Sequence, residues 1–185
     1  MSRGFTLIEL LIVIAIIGIL SAAVLLTINP GQLLAQARDS RRVDDLANLN
    51  SAVKLYLADF ATTTWSAAYN CTSGTTAPGT STVGGCGQNQ TRTTAGAGWV
   101  PINFGLMTIN SPISALPIDP SNGVSSCGGG EPPNVCLYAY HSSSTIGLYK
   151  LYAKMESSRY QNNQSVGDGG LYNAWYEVGS NLSTL

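Results

Sequence analysis

The chain has 185 residues, a formal net charge of −1 and only 10% charged residues. That length allows one modest domain beside a membrane segment, and near-neutral charge without a basic patch argues against a dedicated nucleic-acid surface. Ser, Thr, Asn and Gly dominate the distal half, a composition compatible with an exported surface.

The first element is an apolar run from Phe5 to Ile28, whose only polar side chains are Thr6, Glu9, Ser21 and Thr27. A helix over it is about 36 Å long at ~1.5 Å per residue, enough to cross a ~30 Å hydrocarbon core. A carboxylate in such a segment costs roughly 2.5–3.5 kcal/mol on insertion scales, so Glu9 is a functional-site candidate in need of a partner. The run is too long for the core of a secretory signal, and no Ala-x-Ala site follows it; the small residue, Gly4, lies before it. Arg3, with no further basic residue until Arg38, favours an N-terminus on the cytoplasmic side.

Arg3-Gly4-Phe5-Thr6-Leu7-Ile8-Glu9-Leu10 resembles the processing signal of type IV prepilins and of type II secretion pseudopilins. The strong resemblance runs from Met1 to about Phe60. It implies that prepilin peptidase, a membrane aspartyl peptidase, cuts between Gly4 and Phe5 and methylates the new amino group of Phe5. It also implies a precursor in the cytoplasmic membrane, N-terminus in and C-terminus out. A pilus or secretion assembly platform then adds it to a homopolymeric filament. In that filament Glu9 of one subunit pairs with the Phe5 amine of a neighbour. Opposite charges in a medium of low dielectric favour such pairing over isolation. The plainer alternative is a Glu9 that stays hydrated at the headgroup boundary.

Asn29-Pro30-Gly31 predicts a helix break, since Pro30 lacks an N–H and Gly31 adds backbone freedom. The resembling family tends to carry a proline in this region. Two readings stand: a hinge used in the filament, or a kink at the membrane surface. Helix is expected again from about Gln32 to Phe60. Leu46, Leu49, Val53, Tyr56 and Phe60 recur at spacings of three and four, one stripe that the distal domain must cover. Leu55 and Ala58 lie off the stripe, available to neighbouring subunits. Arg38, Asp39, Arg41, Arg42, Asp44 and Asp45 read as a solvated face with weak local pairs, the alternative being a contact between subunits.

From Ala61 to about Gly98, threonine runs alternate with glycine without apolar periodicity, which predicts an irregular surface loop. Asn70, Asn89, Asn163 and Asn181 begin N-x-Ser/Thr triplets. The four cysteines, Cys71, Cys86, Cys127 and Cys136, contain no Cys-x-x-Cys pair, and His141 is the sole histidine, which leaves zinc little support. An even count in an exported segment reads as disulfides. Three connectivities are possible; Cys71–Cys86 with Cys127–Cys136 is favoured because each pair brackets a Gly-rich loop.

Distally, Val135–His141 alternates Cys136, Tyr138 and Tyr140 against Leu137, Ala139 and His141. Leu148–Met155 sets Tyr149, Leu151, Ala153 and Met155 on one face, with Lys150 and Lys154 pointing the other way. A hairpin is expected, with a third strand around Ala174, Tyr176 and Val178. Asp119, in Pro117-Ile118-Asp119-Pro120, and Asp168, with Glu156 and Glu177, are weak calcium candidates whose spacing is diffuse. Turn residues and strand ends are the stronger reading. His141 has no visible nucleophile partner.

The expected class is α+β: a long N-terminal helix, its first half membrane-spanning, packed on a small antiparallel sheet, as the resemblance also implies. The segments are 1–4 (leader), 5–28 (membrane and assembly helix), 29–60 (amphipathic helix), 61–98 (loop) and 99–185 (sheet domain). No cofactor or catalytic residue is expected. The function is that of a structural filament subunit. The alternatives are a secretion pseudopilin and a non-polymerising membrane-anchored adhesin or binding module.

Overall fold

A computed structural model describes residues 4–27, 29–60, 66–74, 85–128, 134–145, 147–180 and 182–183, with backbone alone at 25–27. Arg3, the threonine runs at 62–64, 75–76 and 80–82, and Asn181 lie outside the described residues. The chain divides into two compact units, Met1–Leu34 and Ala35–Leu185.

The first unit holds helix α1, Leu7–Thr27. At ~1.5 Å per residue its 21 residues extend about 31 Å. The helix is apolar on every side, so it has no face to turn inward, and from Leu7 to Val24 it buries nothing within this chain. Helical structure stops at Thr27 and begins again at Pro30, the first residue of α2 (Pro30–Asp59). Pro30 therefore starts a helix rather than interrupting one. A missing N–H costs nothing at the first helical position. Asn29 caps the new helix, its Oδ1 accepting from Gln32 N at 3.2 Å.

In the second unit, α2 buries Ala35, Asp39, Arg42, Leu46, Leu49, Val53 and Tyr56, and Phe60 packs partly buried beside them. The apolar half of this stripe is the one expected from the sequence. The sheet comprises β1 (Ala68–Cys71), β2 (Gly87–Gln88), β3 (Tyr138–Ser142), β4 (Tyr149–Ala153) and β5 (Tyr176–Gly179), in the order β2-β1-β3-β4-β5. All pairings are antiparallel except β1 with β2. The expected hairpin is β3–β4, in register Tyr138↔Ala153 to Ser142↔Tyr149. The expected third strand is β5, beside β4. The class is α+β with a mixed sheet.

Segment 61–98 differs from its reading as loop alone. It supplies β1 and β2, and β1 lies inside the sheet against β3. Only Cys71 of the four β1 side chains is fully buried, so the strand lacks the alternation that marks one in sequence.

Tyr138, Tyr140, Tyr149, Leu151 and Ala153 pack on the α2 stripe, joined by Trp99, Val100, Phe104 and Leu116. Gly98 lets this segment in: a Cβ there would lie 2.3 Å from Leu116 Cδ1 and 2.4 Å from the Thr93 carbonyl oxygen. The opposite face carries Leu137, Ala139 and Tyr152 with Cys71, Cys86 and Trp175. Both faces are thus covered, and Lys150 and Lys154, on the face away from α2, are buried. Lys150 Nζ donates to Glu177 Oε2 at 2.9 Å, and Lys154 Nζ lies 5.2 Å from the Trp175 ring centre.

After this core, the chain runs back along α2. Thr108 N and Oγ1 donate to Asp59 Oδ2 and Oδ1 at 2.7 and 3.0 Å near the helix end. Eleven residues on, Asp119 meets Arg42.

Leu49, fully buried in the seam, and Leu55, 49% exposed on the same helix, give a contrast. We expect Leu49→Ala to destabilise the second unit by about 2–5 kcal/mol, and Leu55→Ala to change it by less than about 0.5 kcal/mol. Urea unfolding followed by the fluorescence of buried Trp99 and Trp175 measures both.

Candidate functional site

Gly4, Phe5 and Thr6 precede α1 and are not helical. Phe5 is 81% exposed. A Cβ on Gly4 would meet nothing within 4 Å, so no packing within this chain demands glycine there. The first backbone hydrogen bond of the helix runs from Leu10 N to Thr6 O at 3.3 Å. Its acceptor lies downstream of Gly4–Phe5, so a cut at that bond leaves the helix start intact.

Thr6 and Glu9 form a reciprocal cap on α1. Thr6 N and Thr6 Oγ1 donate to Glu9 Oε2 at 2.9 and 2.7 Å, and Glu9 N donates to Thr6 Oγ1 at 3.4 Å. This is the Thr-x-x-Glu capping box, which satisfies helix-start donors with no help from solvent. The carboxylate also meets the positive end of the helix dipole. Both bonds to Glu9 use Oε2; among the described residues none reaches Oε1. The arrangement holds a carboxylate in place with one oxygen left to accept.

A second polar centre lies inside the Ala35–Leu185 unit. Arg42, Asp39 and Asp119 side chains are wholly buried. Arg42 Nε and Nη2 donate to Asp119 Oδ2 and Oδ1 at 2.7 and 2.8 Å, a two-pronged pair. Its Nη1 donates to Asp39 Oδ1 at 2.7 Å, and Nη2 also reaches Glu156 Oε1 at 3.3 Å. Asp39 further accepts from the backbone N–H groups of Glu156 and Ser157 at 2.9 and 2.8 Å and from Ser157 Oγ at 2.6 Å. Arg38 Nε donates to Glu156 Oε2 at 2.7 Å, and Ser126 Oγ to Glu156 Oε1 at 2.9 Å.

This corrects the reading of Arg38–Asp45 as a solvated face. Arg41 fits that reading, 70% exposed and 3.9 Å from Asp45. Asp39 and Arg42 do not. They continue the Leu46-to-Phe60 spacing backwards, at 39, 42, 46 and 49, and that phase is the signal that places them inside. Apart from the Asp39–Arg42 pair itself, a local i,i+3 contact, their partners lie 77 to 118 residues away, beyond any local pairing rule.

Burial alone would raise the Glu156 pKa. The Arg38 hydrogen bond outweighs it, with Ser121, Ser126 and the Arg42 charge, and the carboxyl lies below its ordinary value of 4.5. Burial also disfavours charge on Arg42, yet Asp119, Asp39 and Glu156 raise its pKa further; the guanidinium is charged at every accessible pH.

The calcium candidates separate into two groups. Asp119 and Glu156 belong to the Arg42 centre. Asp168 and Glu177 belong to the far face of the sheet. There Asp168 accepts from Gly170 N and Glu177 N at 2.7 and 2.6 Å, and Glu177 holds Lys150. A cation at either place would have to displace a paired side-chain cation. Among the described residues, one His/Cys/Asp/Glu cluster has metal-like spacing, Cys127, Cys136 and Glu156. Its cysteines form a disulfide, so no thiolate is available.

Cys71 is bonded to Cys86, and Cys127 to Cys136. The first bond joins β1 to the residue before β2; the second sets Ser126 against Glu156. His141 lies in β3, stacked on Tyr69 with ring centres 4.5 Å apart. Burial and the Lys150 charge hold its pKa below 6.5. Asn70 Nδ2 donates to the Trp99 carbonyl, and Asn89 is tied to Ala97 and Thr91.

Residues 1–25 match the family model of the prokaryotic N-terminal methylation motif, the prepilin-type signal of type IV pilins and pseudopilins. The match spans residues 1–4, the Thr6–Glu9 cap and most of α1, and none of the sheet unit. No curated protein and no solved structure matches the chain. Over residues 1–25 the chain is similar to type IV pilins and pseudopilins, whose signal prepilin peptidase processes.

Arg42→Met would leave Asp39, Asp119 and Glu156 without their shared cation, and we expect it to destabilise the unit by about 3–5 kcal/mol. Glu156→Gln carries a pH signature. A carboxyl whose folded pKa is depressed stabilises the fold above its unfolded value, 4.5, and that stability is lost as pH falls through the lower folded value. The stability gap between wild type and Glu156→Gln should be full at pH 7 and close progressively below pH 4.5, as read by urea unfolding across that range.

Proposed function

We propose that the chain is the structural subunit of a type IV pilus-like filament. On this reading prepilin peptidase cuts between Gly4 and Phe5 and methylates the Phe5 amine. The precursor is held in the cytoplasmic membrane by α1, N-terminus in, with the sheet unit outside. An assembly platform then transfers it to a filament in which α1 packs against copies of itself. An apolar rod that suits lipid suits other such rods equally, so the transfer need not expose it to water.

The observation that carries the reading is the Glu9 carboxylate, fixed by Thr6 at the head of an apolar helix, with Oε1 unengaged among the described residues. A carboxylate in a low-dielectric setting strongly favours an opposite charge. Cleavage supplies one, the new ammonium of Phe5, on every copy. A neighbour's amine reaching Oε1 would complete the carboxylate without breaking the Thr6–Glu9 cap. The same chemistry serves a secretion pseudopilin.

Two measurements test the proposal. Mass spectrometry of the mature chain should find methylated Phe5 at its N-terminus; retained Met1 would instead favour a plain membrane anchor. Electron microscopy of sheared surface material should show filaments containing this subunit. Glu9→Ala should remain inserted and cleaved yet give at least about tenfold fewer filaments, corresponding to loss of a charge-pair contribution of ~1.4 kcal/mol or more. Wild-type filament yield from that variant overturns the role assigned to Glu9.

A further inference from the structure

We infer that Lys150 and Glu177 condense after folding into an amide cross-link between β4 and β5, with loss of one water. Both side chains are wholly buried, and Lys150 Nζ donates to Glu177 Oε2 at 2.9 Å. The site lies on the sheet face away from α2 and is independent of whether the chain polymerises.

Sheet register and a returning loop build this contact. In the β4–β5 pairing Tyr152 stands opposite Glu177, and Lys150 opposite Gly179. Lys150 and Glu177 are therefore diagonal neighbours on one face, within reach of a long side chain. After a π-helical turn at Gln161–Ser165, the chain comes back over this face and closes it. Gly170 lies directly on the acid: a Cβ there would stand 2.4 Å from Glu177 Cδ and 2.7 and 2.8 Å from its oxygens. Only glycine lets the backbone approach a carboxyl so closely. Tyr152 and Trp175 are buried on the same face, and the Tyr172 ring centre lies 5.9 Å from Lys150 Nζ.

Acyl transfer to an amine needs a nucleophile in reach, a donor on the oxygen where charge develops, a proton relay and a dry site. With Nζ 2.9 Å from Oε2, the carboxyl carbon stands near the ~3–3.5 Å separation of an attacking pair. Rotation of the lysine stem turns the nitrogen from the edge of the carboxyl to its face. Tyr172 N donates to Oε1 at 2.6 Å, where a tetrahedral centre would place its negative charge. Asp168 accepts from Glu177 N and Gly170 N at 2.6 and 2.7 Å, and the charges of Lys150 and Glu177 both act on it. Burial, reinforced by the Glu177 charge, holds the Asp168 carboxyl above its ordinary value of 3.8, which suits it to take up and return a proton.

The step balances without a co-reactant. Burial disfavours the ionised pair relative to the neutral one, so the ammonium passes one proton to Oε2. The neutral nitrogen attacks Cδ, forming the C–N bond and placing negative charge on Oε1 beside Tyr172 N. A second proton passes from nitrogen through Asp168 to Oε2. The Cδ–Oε2 bond then breaks, one water leaves, and nitrogen keeps its last hydrogen as the amide N–H. Fixed orientation supplies effective concentrations of ~10⁵–10⁸ M for such a step, and burial keeps solvent from reversing it. The product has a mechanical consequence. Strand β5 is the edge of the sheet, with β4 as its neighbour, and the cross-link holds it by a covalent bond as well as by its backbone hydrogen bonds.

The test is mass spectrometry of the full chain, extracted in detergent, reduced, denatured and digested with trypsin. We expect no cut after Lys150. Residues 93–154 and the peptide beginning at Tyr160, which holds Glu177, should appear as one species, lighter by one water than their sum. Fragmentation should place the link at Lys150 and Glu177. The double variant Lys150→Met/Glu177→Leu replaces the pair by apolar groups, a change that buried ion pairs tolerate, and should give two separate peptides. Asp168→Asn should be recovered mainly unlinked; complete linkage in that variant overturns the relay assigned to Asp168. Separate, unmodified peptides from wild type overturn the cross-link. So does a water loss confined to Asp168–Gly169, the mark of a cyclic imide there, or a joined species that persists in the double variant.

Discussion

The sheet unit is organised around one guanidinium. Arg42 stands on α2 with all its reach used by Asp39, Asp119 and Glu156. These partners come from α2 itself, from the turn after the core segment and from the chain leaving β4. Arg38 and Ser126 complete Glu156, and two backbone N–H groups complete Asp39. Such a centre is a poor source of net stability, because desolvating the charges offsets most of their attraction. What it confers is register. An apolar seam of leucines, valine and tyrosines tolerates sliding by a turn at modest cost. Displacing α2 by one turn, about 5.4 Å, would strand a buried cation and three carboxylates at once. The apolar residues of α2 hold the helix to the sheet; Arg42 determines where along the sheet it sits.

This division explains what was readable from the sequence. The stripe Leu46, Leu49, Val53, Tyr56 and Phe60 was legible because helix periodicity is local and apolar burial follows it. So were the β3–β4 hairpin and β5, from alternation of two. Asp39 and Arg42 share the phase of the stripe, yet their charge makes exposure the default, and charged residues enter a core only when paired. The pairing residues, Asp119, Glu156 and Ser157, are remote in sequence and sit in turns without periodicity. Lys150 and Lys154 show the same effect on the far face. They lie opposite the apolar side of β4, as the alternation required. They are buried because Glu177 and Trp175, from the chain after the π-helical turn, cover them, and nothing local in β4 announces that cover.

The N-terminal unit is the opposite case. Its helix has no internal pattern to decode, since apolar residues occur at every angle, and its length and position follow from composition alone. What composition hid was the cap. Thr6 and Glu9 carry the Thr-x-x-Glu spacing of a helix start, but with Glu9 considered only as a charge in an apolar run, its hydrogen bond to Thr6 goes unnoticed. The structure joins the two meanings. Glu9 is bound at Oε2 within its own chain and bare at Oε1 among the described residues, so an intrachain cap and an interchain charge pair are compatible rather than competing. The break before α2 has a similar double reading: Pro30 was legible as a helix breaker, whereas with Asn29 capping Gln32 it acts as a helix starter.

On the proposed reading, this geometry makes assembly depend on the cut. Before cleavage, the Phe5 nitrogen is an amide, uncharged, and the nearest leader cation is the guanidinium of Arg3. The carboxylate then has only its cap. After cleavage, the chain gains an ammonium one residue before Thr6, while the cap and the first backbone hydrogen bond of α1, accepted by Thr6, survive. Thr6 holds the carboxylate at the helix start through Oε2, and among the described residues Oε1 has no partner. On the proposed reading a neighbour's amine approaches that oxygen along the apolar rods. On that reading part of the energetic gain from neutralising the carboxylate falls on contact between chains that have lost the leader. A single peptide bond, left outside the helix by where the cap begins, thus separates a membrane anchor from a subunit competent to assemble.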